Sequence, residues 1–130
     1  KDTSRGLGDV YKRQIFFSSI AGSKGLSNHE VISAAKGGIE GFARSAAATY
    51  AKDNLRVNVI APSIMDSNMS QKILSSDTAR EVSKNMHPIS KIGNSDDILP
   101  VVKWLLSTDA QWVTGQTIHV DGGLSTVKPR

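Results

Sequence analysis

The sequence predicts an α/β fold with parallel strands, and three observations carry that prediction. The β-branched run Leu55 to Ile60 and the short run Thr117 to Val120 read as strands, each closed by turn residues. Ile39, Phe42, Ala43, Ala46, Ala47 and Tyr50 recur at helical spacing and form one face. That helix separates the first strand from an earlier apolar run, Ile15-Phe16-Phe17. The resulting order is strand, helix, strand, polar excursion, helix, strand. Such alternation implies parallel strands joined by right-handed crossovers.

Residues 1 to 14, KDTSRGLGDVYKRQ, show neither helical nor strand period. Asp9 to Gln14 resembles the in-frame translation of an adapter used in shotgun sequencing libraries; the alternative is an ordinary disordered tail. On either reading this leader is set apart from the fold, Tyr11 with it, and the domain is expected over residues 15–130.

Ile15 to Phe17 reads as a buried strand ending in Ser18-Ser19, and Gly22 to Asn28 as a loop. The helix is expected over about 33–52. Gly37, Gly38 and Gly41 each cost such a helix roughly 1 kcal/mol relative to alanine, so they point to close approach by another backbone. Asp53-Asn54 ends it. In the next strand Leu55, Val57 and Val59 alternate with Arg56, Asn58 and Ile60, and Ala61-Pro62-Ser63 breaks the run. Residues 64–92 are polar with sparse apolar anchors and read as weak helices in a mobile excursion. Asn94 is placed to cap a second helix, with Asp97 completing a capping box in place of glutamate. Ile98, Val101, Val102, Leu105 and Leu106 form its apolar stripe, and Pro100 predicts a slight kink. Asp121-Gly122-Gly123 turns out of the last strand.

The chain of 130 residues suits one domain, and its 38% hydrophobic and 22% charged content is ordinary for a globular protein. The absence of cysteine removes disulfides, thiolate catalysis and zinc–thiolate sites, and no metal site is expected. No apolar run approaches the roughly 20 residues of a membrane span, and the leader lacks the apolar core of a secretory signal. A cytoplasmic setting without membrane association is expected. The net charge is +4, but Lys1, Arg5, Lys12 and Arg13 against Asp2 and Asp9 place half of it in the leader. The other basic residues are scattered and not interleaved with aromatics, which argues against nucleic acid as a partner.

Three patches, in matching order and spacing, resemble the short-chain dehydrogenase/reductase family over residues 15 to 123. They are Ser18-Ser19-Ile20-Ala21-Gly22 followed by Ser33-Ala34-Ala35-Lys36, then Arg56 to Ser63 (RVNVIAPS), then Val113 to Gly123 (VTGQTIHVDGG). The resemblance implies the C-terminal half of a Rossmann-type doubly wound parallel sheet, with three adjacent strands. It implies a fragment of an NAD(P)-dependent oxidoreductase, with NAD or NADP as cofactor, interconverting an alcohol and a carbonyl by hydride transfer. It also implies a small-molecule substrate and a homo-oligomer paired through the first helix. The family's glycine-rich phosphate loop belongs to its first strand–helix turn. No such loop stands in this sequence, so the chain by itself is expected to be inactive. The alternatives are a non-catalytic Rossmann-type protein binding nucleotide or a partner, and a truncated inactive reading frame.

The family's reaction uses a serine that holds the substrate oxygen, a tyrosine that passes the proton, and a lysine that binds the nicotinamide ribose and lowers the tyrosine pKa. Ser19 matches the serine and Lys36 the lysine. The tyrosine position, four residues before Lys36 and so on the same helix face, is Ile32. A free phenol titrates near 10, so work near neutrality requires its pKa to fall to about 7; isoleucine has no proton to give at all. His29, three residues before Ile32, is a candidate substitute, with Glu30 to orient it; the alternative is a histidine at the helix entrance without catalytic work. Pro62 and Ser63 stand where the family has Pro-Gly. Met65 matches a residue whose backbone meets the nicotinamide carboxamide, and Ser67 a threonine whose hydroxyl touches the cofactor. His119 is expected to be structural.

Overall fold

The computed structural model describes residues 12–130. Three parallel strands form one sheet in the order β1 (Lys12–Phe17), β2 (Leu55–Pro62), β3 (Thr117–Val120). Helix α1 (Glu30–Tyr50) joins β1 to β2. Between β2 and β3 come α2 (Asp77–Met86) and α3 (Ser95–Leu106). This is the expected strand and helix order.

The core has two parts, one on each face of the sheet. Ala43 and Ala47 of α1 pack against Val57 and Val59, with Phe16, Ala46 and Leu55 around them. On the other face Ile98 and Leu105 of α3 join Ile60 and Ala110. β2 is therefore covered on both sides, and Arg56 to Ala61 are all buried. The alternation in Leu55 to Ile60 separates two buried faces, not core from solvent. Arg56 and Asn58 both make hydrogen bonds inside. Arg56 donates to the Leu105 carbonyl at 2.6 Å, and Asn58 donates to Val113 O at 3.0 Å and accepts from Gln116 N at 3.1 Å. These bonds tie β2 to the end of α3 and to the approach to β3. Leaving such groups unpaired costs about 1–3 kcal/mol each, so the polar pair fixes this packing.

Several boundaries differ from expectation. The leader is expected to end at residue 14, yet Lys12, Arg13 and Gln14 pair with Leu55, Arg56 and Val57. Parallel pairing uses backbone groups, so an exposed edge strand extends without an apolar pattern. The adapter-like residues before Lys12, and Tyr11, lie outside the described residues. α1 begins at Glu30, and Asn54 closes its end in the left-handed conformation after a 3-10 turn, Ala51–Asp53. Phe42 and Tyr50 belong to the expected apolar face but are 62% and 46% exposed. The sheet covers only the Ala43–Ala47 strip, leaving the shoulders of the stripe outside; Phe42 meets the Phe16 ring edge-on at 5.6 Å.

The excursion holds a 3-10 turn (Asn68–Ser70), the buried Leu74, and α2, capped by Ser76 Oγ accepting from Ala79 N at 3.0 Å. α3 has the expected capping box: Asn94 accepts from Asp96 N and Asp97 from Asn94 N, both at 2.9 Å. The helix runs on through Pro100.

Candidate active site

The carboxyl ends of parallel strands are where ligands bind in open α/β sheets, because the strand ends and following loops leave a crevice there. Here that edge is built by Ser18-Ser19 after β1, Pro62-Ser63 after β2 and Asp121-Gly122 after β3. Ser18 N donates to Ile60 O at 2.8 Å, continuing the β1–β2 ladder one residue past β1.

Ser19 caps the 3-10 turn Ile20–Gly22, its Oγ accepting from Ala21 N at 3.0 Å. With the oxygen used as acceptor, the hydroxyl proton stays available to a ligand oxygen. This turn lies against α1. Ser18 Oγ donates to the Lys36 carbonyl at 3.2 Å, and a Cβ on Gly22 would meet the Lys36 carbonyl carbon at 3.0 Å. A Cβ on Gly37 would stand 3.3 Å from Gly22 O, so of the three helix glycines Gly37 makes the close approach expected from sequence. Gly38 has open space around it, and at Gly41 a Cβ would meet only the Arg44 side chain at 3.8 Å. The structure thus brings the Ser19 and Lys36 segments together.

Ile32 sits one turn before Lys36 and is 45% exposed. His29 immediately precedes α1; its Nδ1 lies 2.7 Å from the Ser27 carbonyl, and the ring is exposed. A carbonyl only accepts, so Nδ1 is the donor there. Among the described residues no hydrogen bond joins His29 to Ser19 or Lys36.

Sequence reasoning passed over the group that holds this end in place. Glu40 is buried, accepting from Ser18 Oγ at 2.9 Å and Ser23 Oγ at 2.7 Å. His119 Nε2 lies 3.1 Å from Ser23 Oγ, joining β3 to the same network and fitting the expected structural role. One signal was available: Glu40 stands four residues after Lys36, on the same face as Ala43 and Ala47, where a carboxylate needs partners.

On β2, Ser63 Oγ lies 2.7 Å from His87 Nε2. Met65 pairs with Gly93 as an isolated parallel bridge, and its carbonyl accepts from Ser70 Oγ. Ser67 N donates to Ser70 Oγ at 3.0 Å. Arg80 binds Asp66 at 2.7 Å and holds its carboxyl below the usual range. These contacts fasten the start of the excursion. Ser63, His87, Lys91, Gly93, Asp97, Asp121 and neighbours line a cleft of about 220 Å³ between the ends of β2 and β3. Asp121 is buried, and burial works to raise its pKa. The Ser125 hydroxyl and the N–H groups of Gly123 and Ser125 outweigh that and hold it low. Among the described residues no cluster of His, Asp or Glu is arranged to hold a metal, and no helix is long and apolar enough to cross a membrane.

Comparison with known proteins places this arrangement. A family model described as enoyl-(acyl carrier protein) reductase matches residues 9–125. The 3-oxoacyl-[acyl-carrier-protein] reductase MabA of Mycobacterium tuberculosis is 33% identical over 114 residues, 88% of this chain and 45% of that protein. The 2-(S)-hydroxypropyl-CoM dehydrogenase 3 of Xanthobacter autotrophicus is 37% identical over 115 residues, 85% of this chain and 45% of that one. A short-chain type dehydrogenase/reductase from Mycobacterium ulcerans superposes with a TM-score of 0.83 at 26% identity, covering 94% of this chain and 45% of its own. The chain spans about half the length of these relatives.

Proposed function

The chain belongs to the short-chain dehydrogenase/reductase family, and from that membership we propose that it forms the carboxyl-terminal half of an NAD(P)-dependent oxidoreductase interconverting a small alcohol and carbonyl. The observation that carries the proposal is the packing of the Ser19 turn on α1 at Lys36, through Ser18, Gly22 and Glu40. It brings the Ser19 and Lys36 segments together at the carboxyl edge of the sheet.

The donor set suits a nicotinamide nucleotide. Lys36 would bind ribose hydroxyls, the Met65 backbone the carboxamide, and Ser67 the cofactor through its hydroxyl, while Pro62 and Ser63 form the floor. When bound, that cofactor supplies or accepts the hydride. Ser19 holds the substrate oxygen by donating its proton in a hydrogen bond. Ile32 contributes an apolar wall and no proton.

The half-length chain by itself is inactive on this reading, because the phosphate-binding glycines of the family stand nowhere in its sequence. The whole protein is cytoplasmic and homo-oligomeric, pairing through α1, whose Phe42, Tyr50 and Gly38 remain uncovered. The test is spectrophotometric: NAD(P)H consumption by the whole protein on a panel of small carbonyls. Turnover on at least one is expected. Cofactor binding without turnover across the panel would favour a nucleotide-binding protein without redox activity.

A further inference from the structure

If the reaction is a carbonyl reduction, a proton must reach the product oxygen, and Ile32 cannot deliver it. The structure holds a hydroxyl–imidazole pair at the same edge of the sheet, where the family resemblance has a bare glycine. Ser63 Oγ and His87 Nε2 are 2.7 Å apart, and His87 Nδ1 is 2.7 Å from the Ser83 carbonyl. That carbonyl only accepts, so Nδ1 carries a proton in every charge state. Nε2 is therefore the exchanging nitrogen. It accepts from Ser63 when the ring is neutral and donates to Ser63 Oγ when the ring is charged. In the charged state the serine proton is free to point at a ligand. This is the arrangement of a hydroxyl, a base and a group orienting the base.

The pair is also well placed and firmly held. Ser63 follows Pro62 at the end of β2, and the neighbouring β1 leads through Ser18, whose N donates to Ile60 O at 2.8 Å, into Ser19. Adjacent strands lie about 4.8 Å apart, so the segments that carry Ser19 and Ser63 leave neighbouring strands at the same edge of the sheet. His87 is 4% exposed, and Ile89 N donates to Gly122 O at 2.9 Å just beyond it, pinning the loop to the end of β3. The cleft of about 220 Å³ connects the pair to solvent. Across it stand Lys91, paired with Asp97 at 2.8 Å, and Asp121, held by Gly123 and Ser125. On the histidine's own helix Lys84 stands near Glu81, and its carbonyl accepts from His87 N at 3.3 Å.

We infer that Ser63, recharged by His87, is the proton donor to the substrate oxygen in place of the missing phenol. The inference rests on the oxidoreductase reading above. As the carbonyl carbon receives a hydride from the reduced nicotinamide, the oxygen takes the Ser63 proton. Ser63 Oγ takes the Nε2 proton of the imidazolium, and the neutral ring regains one from water in the cleft. The products are the alcohol and the oxidised nicotinamide, with one solvent proton consumed. Ser63 is thus a catalytic residue, and His87 acts through it.

The test combines kinetics of the whole protein with imidazole NMR of the cofactor-free protein. Ser63→Ala and His87→Gln should each lower the reduction rate by about 10²- to 10⁴-fold, the usual contribution of a general acid. Cofactor affinity should hold in His87→Gln. The wild-type rate should fall as pH rises and the imidazolium is lost, and His87→Gln should abolish that dependence. In the NMR spectrum Nδ1 should stay protonated across the titration, and Ser63→Ala should move the Nε2 resonance, which reads the pair without turnover. Variants that turn over within a few-fold of wild type with the same pH profile would overturn the relay and leave the oxidoreductase reading standing. A wild type that binds cofactor but reduces nothing would overturn both.

Discussion

At the scale of single residues, Ile32 is the residue we propose stands where the family has its tyrosine. An isoleucine one helical turn from Lys36 keeps the helix but removes the phenol. Ile32→Tyr should place a phenol near the Lys36 ammonium, which favours its ionisation. Measured in the whole protein, the substitution should raise the rate of a His87→Gln variant about 10-fold or more, a general-acid contribution discounted for packing the new ring. In an otherwise wild-type background the gain should be small, because Ser63 already supplies the proton. A large gain there, with none in His87→Gln, would contradict that order of roles.

Asp121 gives a second residue-scale prediction. Its carboxylate accepts from Gly123 N at 3.0 Å, Ser125 N at 3.1 Å and Ser125 Oγ at 2.5 Å, and its pKa is held below the ordinary carboxylate range despite burial. A carboxyl depressed in the folded state stabilises the fold above its unfolded pKa, and that stabilisation is lost as pH falls through the folded value. Unfolding midpoints should therefore drop below about pH 4. Asp121→Asn should flatten this acid limb and cost about 1.5–3 kcal/mol at neutral pH, the scale of a hydrogen bond to a charged group. Chemical denaturation of wild type and variant between pH 3 and pH 7 checks both.

At the scale of elements, the sequence pattern reported what periodicity and capping chemistry encode. The α3 box of Asn94 and Asp97, the Asn54 stop and the TIHV strand all stand where local rules put them. What it missed depends on tertiary partners. Arg56 and Asn58 look like a solvent face until α3 and the 113–116 segment supply carbonyl and amide partners. Glu40, Ser18 and Ser23 form a network across segments more than fifteen residues apart. His87 lies in the excursion, where weak periodicity offers no sign that its ring returns to Ser63.

The contact between the Gly22 turn and α1 is the element-scale feature most exposed to a single change. A Cβ at Gly22 would stand 2.1 Å from Glu40 Oε2 and 2.7 Å from Ser18 Oγ. Gly22→Ala should destabilise by about 1–3 kcal/mol through overpacking and should displace the Ser19 turn. Gly38→Ala, on the open side of α1, should be neutral or mildly stabilising in a monomer. Thermal unfolding of the two variants distinguishes a crowded face from an open one. The exposed side of α1 leads to the assembly prediction: Phe42→Asp should convert a homo-oligomeric whole protein to smaller species by light scattering. Unchanged mass would move the interface away from α1.

At the scale of the whole molecule, the fold class, strand order and family were legible because three separated motifs kept their spacing. The distribution of chemistry across the sheet edge was less so. Ser19, Lys36 and Ser63 are proposed from position alone, and the proton route depends on which hydroxyl meets an imidazole. The central claim is that these residues serve hydride transfer to a carbonyl. Deuteride transfer tests it most directly: the whole protein, supplied with nicotinamide cofactor deuterated at the transferring carbon and a carbonyl panel, with product alcohols analysed by mass spectrometry. The account predicts one deuterium on the carbinol carbon of at least one product, formed about 10²- to 10⁴-fold more slowly in Ser63→Ala. Tight cofactor binding with no labelled alcohol from any member of the panel would contradict it.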